Sequence, residues 1–464
     1  MAETLQPKKR RMVDMTQGNI AKHLITFALP LLAGNLFQQL YNAADAWVVG
    51  NFVSNEAFSA VGTVGPIINT LIGFFMGLAS GAGVVISQYY GAREYEKVSK
   101  AVHTAIVLTF VMGIAMTAIG IGMTPTMLRF MKTPEVVWPE AKAYLTVYFS
   151  GISGLMFYNM GAGILRAVGD SRRPFYFLVV AAVLNVVLDL LLVIGFDMGV
   201  RGVAYATILS QGVSALLVLV VLFRTSSCLR LHLKQMKIEP EMLRRVLRVG
   251  MPAAVQMAIT NFSNVFVQSY INHFGPDCMS GWTAHSKIDQ IVLLPMQTLG
   301  LAATTFVGQN LGRGQLERAE QGARTAWKIT ALLTAGLSLL VIWIAPTLVA
   351  AFNSKPEVVT YGTLFLRTLS PFYVICTVNQ IYANALRGAG KSKIPMATML
   401  IGFVFFRQLY LFVMANFISN TILPIIMGYP AGWVICSALT YYYYRKVGLQ
   451  GSTLITPANT EEKE

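Results

Sequence analysis

Charge is what this chain has least of. Asp, Glu, Lys and Arg make up 12% of it against 55% hydrophobic residues, and the mean hydropathy is +0.57, which excludes an ordinary soluble globular domain. Acids are scarcer than bases, 21 against 36, giving a net charge of +15. The four cysteines, Cys228, Cys278, Cys376 and Cys436, have no paired spacing, so neither a disulfide framework nor a metal site is suggested. Gly-Arg turns such as GAR and GRG follow no strand, which argues against phosphate loops. No DDxxD cluster or reactive His-Asp pair at a membrane edge is found, so an intramembrane transferase is excluded and no enzyme is indicated. Apolar pieces of about ten residues with strict alternation, the mark of a lipid-facing barrel, are absent too.

Long apolar runs are what the sequence does have. A membrane span needs about 20 apolar residues, and twelve such segments can be read at 20–49, 56–86, 101–124, 138–164, 174–196, 202–224, 250–273, 280–308, 326–350, 359–385, 394–417 and 422–443. The expected fold is an all-α integral membrane protein with twelve transmembrane helices. The first run contains Asn35, Gln38, Gln39 and Asn42 and lacks a small-residue cleavage site, so it reads as a retained helix and not as a signal peptide. Twelve spans place both termini on one side. That side carries Lys8, Lys9, Arg10, Arg11, Arg93, Lys97, Arg172, Arg173, Arg313 and Arg445, whereas the opposite loops hold little beyond Arg129, Lys132, Lys142, Arg201 and Lys355. The bias of basic residues toward the cytoplasm then sets both termini inside, and explains the positive charge without nucleic acid.

The chain also repeats itself. GAREYEKVSKAVHTA at 91–105 matches GRGQLERAEQGARTA at 312–326, and LRAVGDSRRP at 165–174 matches LRGAGKSKIP at 386–395, both at an offset of 221 residues. Each half has six spans, and an even number makes the two copies enter the membrane in the same direction, as in transporters built from parallel repeats. The expected organisation is a basic cytoplasmic N-terminus (1–17), a six-helix bundle (18–224), a basic amphipathic linker along the cytoplasmic interface (225–249), a second six-helix bundle (250–446) and a cytoplasmic tail (447–464).

Three acids fall inside spans: Asp45, Asp189 and Asp289. An ionised carboxylate at that depth costs at least about 2.5–3.5 kcal/mol, so such residues face the bundle interior and mark ion or proton pathways. Counting from the span ends puts Asp45, Asp189, Tyr144 and Thr207 in one layer, roughly 8–11 Å below the external edge at 1.5 Å per residue. Asn185 lies four residues before Asp189 on the same stripe, and Asn35, Gln38, Gln39, Asn42 and Asp45 form a polar stripe on the first helix. Amides alone would suffice to glue helices; two ionisable groups point to ion exchange. Oxygens of this kind serve a proton or a small hard cation equally well, so H+ and Na+ both stay open, the latter at Asp45, Asn185, Asp189 and Thr207.

The block LRAVGDSRRPFYFLVVAAVLNVVLDLLLVIGFDMGVRGVAYAT (165–207), with FALPLLAGNLFQQLYNAADAWVVG (27–50) and VGQNLG (307–312), resembles the multidrug and toxic compound extrusion (MATE) family. The resemblance implies two pseudo-symmetric six-helix bundles around a central cavity. It also implies a plasma-membrane antiporter, in a bacterium the inner membrane, that exports organic, mostly cationic, compounds in exchange for H+ or Na+ and needs no cofactor. A flippase for a lipid-linked or anionic substrate of the same broad superfamily is the alternative. The family's cation site carries over to Asp45, Tyr144, Asn185, Asp189 and Thr207. Gln38, Asn42, Gln256, Asn264, Asp289 and Arg407 are the expected lining of the substrate cavity. A monomer is expected, since one chain supplies both halves of such a cavity.

Two departures from the family pattern stand out. The R-x-P pattern of helix 11 appears as RQL at 407–409, so that helix is expected to be straighter. Acids frequent on helices 7 and 10 are missing, and Asp289 is instead accompanied by Lys287, Arg367 and Arg407. The plain expectation is that Lys287 snorkels outward and that Arg367 or Arg407 pairs with Asp289; the sharper one is that the second bundle offers positive charge to an anionic or zwitterionic substrate. His285 shares a face with Asp289 and is read as packing.

Overall fold

The structure is a computed structural model that describes residues 13–53, 55–131, 133–419 and 421–450. The KKRR motif at 8–11, Lys132 and tail residues 451–464 lie outside the described residues. Among the described residues there are helices and no strands. The first half gives α1 (Ile20–Phe52), α2 (Asn55–Gly91), α3 (Tyr95–Phe130), α4 (in two pieces, Trp138–Ser150 and Ile152–Ala167), α5 (Arg172–Gly195) and α6 (Gly199–Arg224). The second half repeats the set as α7 (Pro240–Asn272), α8 (Pro276–Gly312), α9 (Leu316–Ala350), α10 (Pro356–Gly388), α11 (Lys393–Ile418) and α12 (Ile422–Val447).

Of these, 10 are long and apolar enough to span a membrane on their own, counted over the described residues. The other two fall short for separate reasons. Helix α4 breaks at Gly151, where an added Cβ would collide with the side chain of Ile208 on α6, so the close α4–α6 approach requires a glycine at the break. Helix α7 carries Gln256, Asn261, Asn264, Gln268 and Asn272 along its uncharged part, and these amides keep it too polar to count as a span. Large apolar side chains such as Leu332, Leu339 and Trp343 on α9 point away from the protein, as expected where lipid is the solvent.

The stretch MLRRVLRVG lies in the first turns of α7. Pro240 begins the helix where a missing N–H does no harm, Glu241 sits in the first turn, and Arg245 donates back to Glu241 Oε1 at 2.6 Å. Helix α11 has no proline at 409. Its backbone passes into π-helix at Leu400–Phe406 and again at Met414–Ile418, a local widening that propensity does not announce.

The chain divides into two compact units, one built on Leu29–Gly250 and the other on the residues from Met251 onward together with Met15–Ala28. In the first, the connection after α6 is tied to α3: His232 N–H donates to His103 Nε2 at 3.0 Å, and Glu239 N–H donates to Thr104 Oγ1 at 3.1 Å. In the second, Met15 is held by Gln309, whose Oε1 accepts its N–H at 3.0 Å, and by Arg318, which donates to its carbonyl at 3.2 Å. The second unit has an aromatic core in which Trp282 lies 5.3 Å from Phe365 and Tyr373 lies 5.5 Å from Trp433, centroid to centroid.

Candidate functional site

In the first unit, the apolar helix α5 turns its few polar groups inward. Asn185 and Asp189 are one turn apart and retain 1% and 0% of their accessible surface. Asp189 is the last α-helical residue before a π segment, Leu190–Gly195, and such segments recur at functional sites. From α1, half-buried Asp45 brings its carboxyl within hydrogen-bonding reach of that of Asp189. From α4, the Tyr144 hydroxyl lies within hydrogen-bonding reach of the side chain of Thr207 on α6, whose Oγ1–H donates to the Val203 carbonyl at 3.0 Å. The structure therefore brings Asp45, Tyr144, Asp189 and Thr207 together from four helices, with Asn185 buried one turn along α5.

These groups have no cationic partner: none of the ion pairs among the described residues involves Asp45 or Asp189. Asp45 Oδ1, both carboxylate oxygens of Asp189 and both polar atoms of Asn185 lack a hydrogen-bond partner. Two ionised carboxylates in contact repel each other strongly, so the arrangement is stable only with a proton or a small cation between them.

Sequence reasoning missed two neighbours. Tyr41 bonds the side chains of Gln38 and Gln211 and lies within electrostatic reach of Asp45, Asp189 and Tyr144. Gln211, on α6, is buried and its Oε1 has no donor. Both had a signal, since Tyr41 stands four residues before Asp45 and Gln211 four after Thr207. Asn42 is exposed on α1 and donates to Gln39 Oε1 at 3.3 Å.

The second unit arranges its polar residues differently. Gln256 on α7 donates to the sulfur of Met399 and accepts from Arg387 at 3.0 Å. Asp289 on α8 accepts from the Tyr373 hydroxyl, which also lies 3.4 Å from His285 Nε2, and His285 stacks on Trp282 at 4.7 Å. The expected pairing of Asp289 with Arg367 or Arg407 is not found. Arg367 is exposed and donates to the Ile342 carbonyl at 3.3 Å, while Arg407 donates to Ser263 Oγ and Asn264 Oδ1, both at 2.9 Å. Lys287 is exposed.

Two repeated sets of membrane helices, the first enclosing paired carboxyls without a counter-charge, have the organisation of a membrane transporter. The MatE family model matches the chain twice, at residues 30–191 and 252–413, once in each half. The Bacillus subtilis protein named "Probable multidrug resistance protein YpnP" is 31% identical over 93% of this chain and 96% of its own length. A second Bacillus subtilis relative, "Probable multidrug resistance protein YoeA", is 27% identical over 92% of this chain and 94% of its own. A transporter of the MOP superfamily from Pyrococcus furiosus has the same fold, with a TM-score of 0.90 at 23% identity, covering 96% of this chain and 100% of that one. The chain belongs to the MatE family, the multidrug and toxic compound extrusion transporters.

Proposed function

We propose that the protein exports organic compounds, chiefly cations, across a bacterial inner membrane in exchange for H+ or Na+, with both termini in the cytoplasm and one chain as the working unit. The division into bundles at 18–224 and 250–446, joined through 225–249, is part of this reading. Asp45 and Asp189 are the coupling pair, Asn185 and Thr207 supply further oxygens, and Tyr144 orients Thr207. The single observation that carries the assignment is the contact of the two carboxyls from α1 and α5 with no cationic partner. A proton shared between them, or a sodium ion among the oxygens, lets the helices approach; release of that ion drives them apart.

A bound ion shifts the balance between transport states only by its differential affinity for them. The α1–α5 contact supplies that difference, because it exists with the ion and is repulsive without it. Gln38, Asn42, Gln256, Asn264, Asp289 and Arg407 are proposed to meet the substrate. The test is dye flux into proteoliposomes under an imposed pH or sodium gradient. Asp189→Asn is expected to abolish gradient-driven flux while the protein still inserts and elutes as a single species; full flux in that variant overturns the assignment.

A further inference from the structure

Arg407 is left unused by the coupling chemistry. It lies about 20 Å along α11 at 1.5 Å per residue, retains 3% of its accessible surface, and follows directly on the π segment Leu400–Phe406. A guanidinium at such depth needs acceptors on all sides. What surrounds it is neutral: Ser263 Oγ and Asn264 Oδ1 at 2.9 Å each, both served by Nη2, and the ring of Tyr429, 4.9 Å from the guanidinium carbon to the centroid. Its Nε has no acceptor, and no carboxylate among the described residues lies within ion-pair distance. Asp289 is the acid of this bundle, but it is engaged by Tyr373, and its influence overlaps with that of Arg407 only at Tyr429.

The Tyr429 ring holds one face of the guanidinium plane, and Nη2 is anchored by α7. Nε, itself buried, keeps an N–H without an acceptor, and together with the Nη2 N–H now given to Asn264 it forms an edge that matches the two oxygens of a carboxylate or phosphate. Asn264 is exposed, so its carbonyl is the acceptor that an incoming oxyanion can displace. We infer that Arg407, with Ser263 and Asn264, forms an oxyanion-binding site in the second bundle. It takes the carboxylate or phosphate of the transported molecule, which opens the export path to amphoteric compounds as well as to simple cations. The identification of the anion's carrier rests on the export reading; the site itself does not.

The test is equilibrium binding, by fluorescence anisotropy, of two dyes that differ by one methyl ester: rhodamine 110, which carries a free carboxylate, and rhodamine 123, in which that carboxylate is esterified. The purified full chain is held in phosphatidylcholine nanodiscs, with and without phosphatidylglycerol. In Arg407→Gln the preference for rhodamine 110 over rhodamine 123 is expected to fall about tenfold, the effect of losing one charge-assisted contact, and Arg407→Lys is expected to keep part of it. If phosphatidylglycerol weakens rhodamine 110 binding in the parent protein but not in Arg407→Gln, a lipid phosphate shares the same guanidinium and the oxyanion site stands. An unchanged preference in Arg407→Gln in both membranes overturns it. Should that variant fail to fold, Asn264→Asp, which sets an acid against the guanidinium, is expected to lower the preference likewise, and no effect there has the same overturning force. No gradient is involved, so this result is independent of whether Asp189→Asn stops driven flux.

Discussion

The two bundles are copies in sequence, yet helices α5 and α11, which correspond in the repeat, carry opposite chemistry. At the offset of 221 residues Asp189 aligns with Tyr410 and Asn185 with Phe406, while Arg407 falls on the position of Val186. Both helices contain π segments beside their buried charge, at Leu190–Gly195 and at Leu400–Phe406. Asp189 and Arg407 therefore stand at different positions of the repeat, and each copy has its own charged residue where the other has an uncharged one. In the first bundle two acids meet without a counter-charge. In the second, a guanidinium rests on Ser263, Asn264 and Tyr429, and Asp289 is kept for Tyr373.

The comparison can be broken most severely from the first bundle. Asp45→Asn is expected to reduce gradient-driven flux by about a hundredfold or more, because the remaining acid keeps neither the repulsion nor the shared ion. A smaller effect separates the two helices: Tyr41→Phe removes a hydroxyl beside the acid pair and is expected to slow the same flux about three- to tenfold, whereas Tyr410→Phe, at the position of Asp189 in the second copy, is expected to leave it within about twofold. Comparable losses in the two tyrosine variants would mean that coupling is spread over both bundles. Smallest is a packing change with no direct bearing on the ion. Gly402→Val in the π segment of α11 would bring a Cβ to 2.7 Å from Cys436 Cβ on α12, and is expected to lower stability by about 1–3 kcal/mol, read as a thermal shift, while the ion dependence of the remaining flux stays as it was.

Much of this was legible in the residues. Apolar runs of span length gave the helices, and matched turns at constant offset gave the repeat, because both follow from what lipid and chain direction demand. The acid pair was legible because ionisable groups at that depth are few and helical counting places them in one layer. Tyr41 and Gln211 were passed over because a tyrosine or glutamine is unremarkable at span depth; only the i±4 relation to Asp45 and Thr207 marks them. The π segments escaped because no residue pattern announces a widened turn; in α11 one of them carries Gly402, which lies against Cys436 of α12. The expectation that Asp289 pairs with an arginine failed for a related reason. Opposite charges in neighbouring spans suggest a pair, but Arg407 is drawn to α7 and the Tyr429 ring, and Asp289 to α10.

The most direct test treats Asp45 and Asp189 as one device. Gradient-driven dye flux is compared in the parent protein, Asp45→Asn, Asp189→Asn and the double variant, all in the same proteoliposomes. If the two carboxyls hold a single ion between them, each single substitution removes nearly all of the flux and the double is no worse than either, the non-additivity expected of groups that act together. Single variants that each retain substantial flux, with losses that multiply in the double, would show that the acids act separately and would contradict the account.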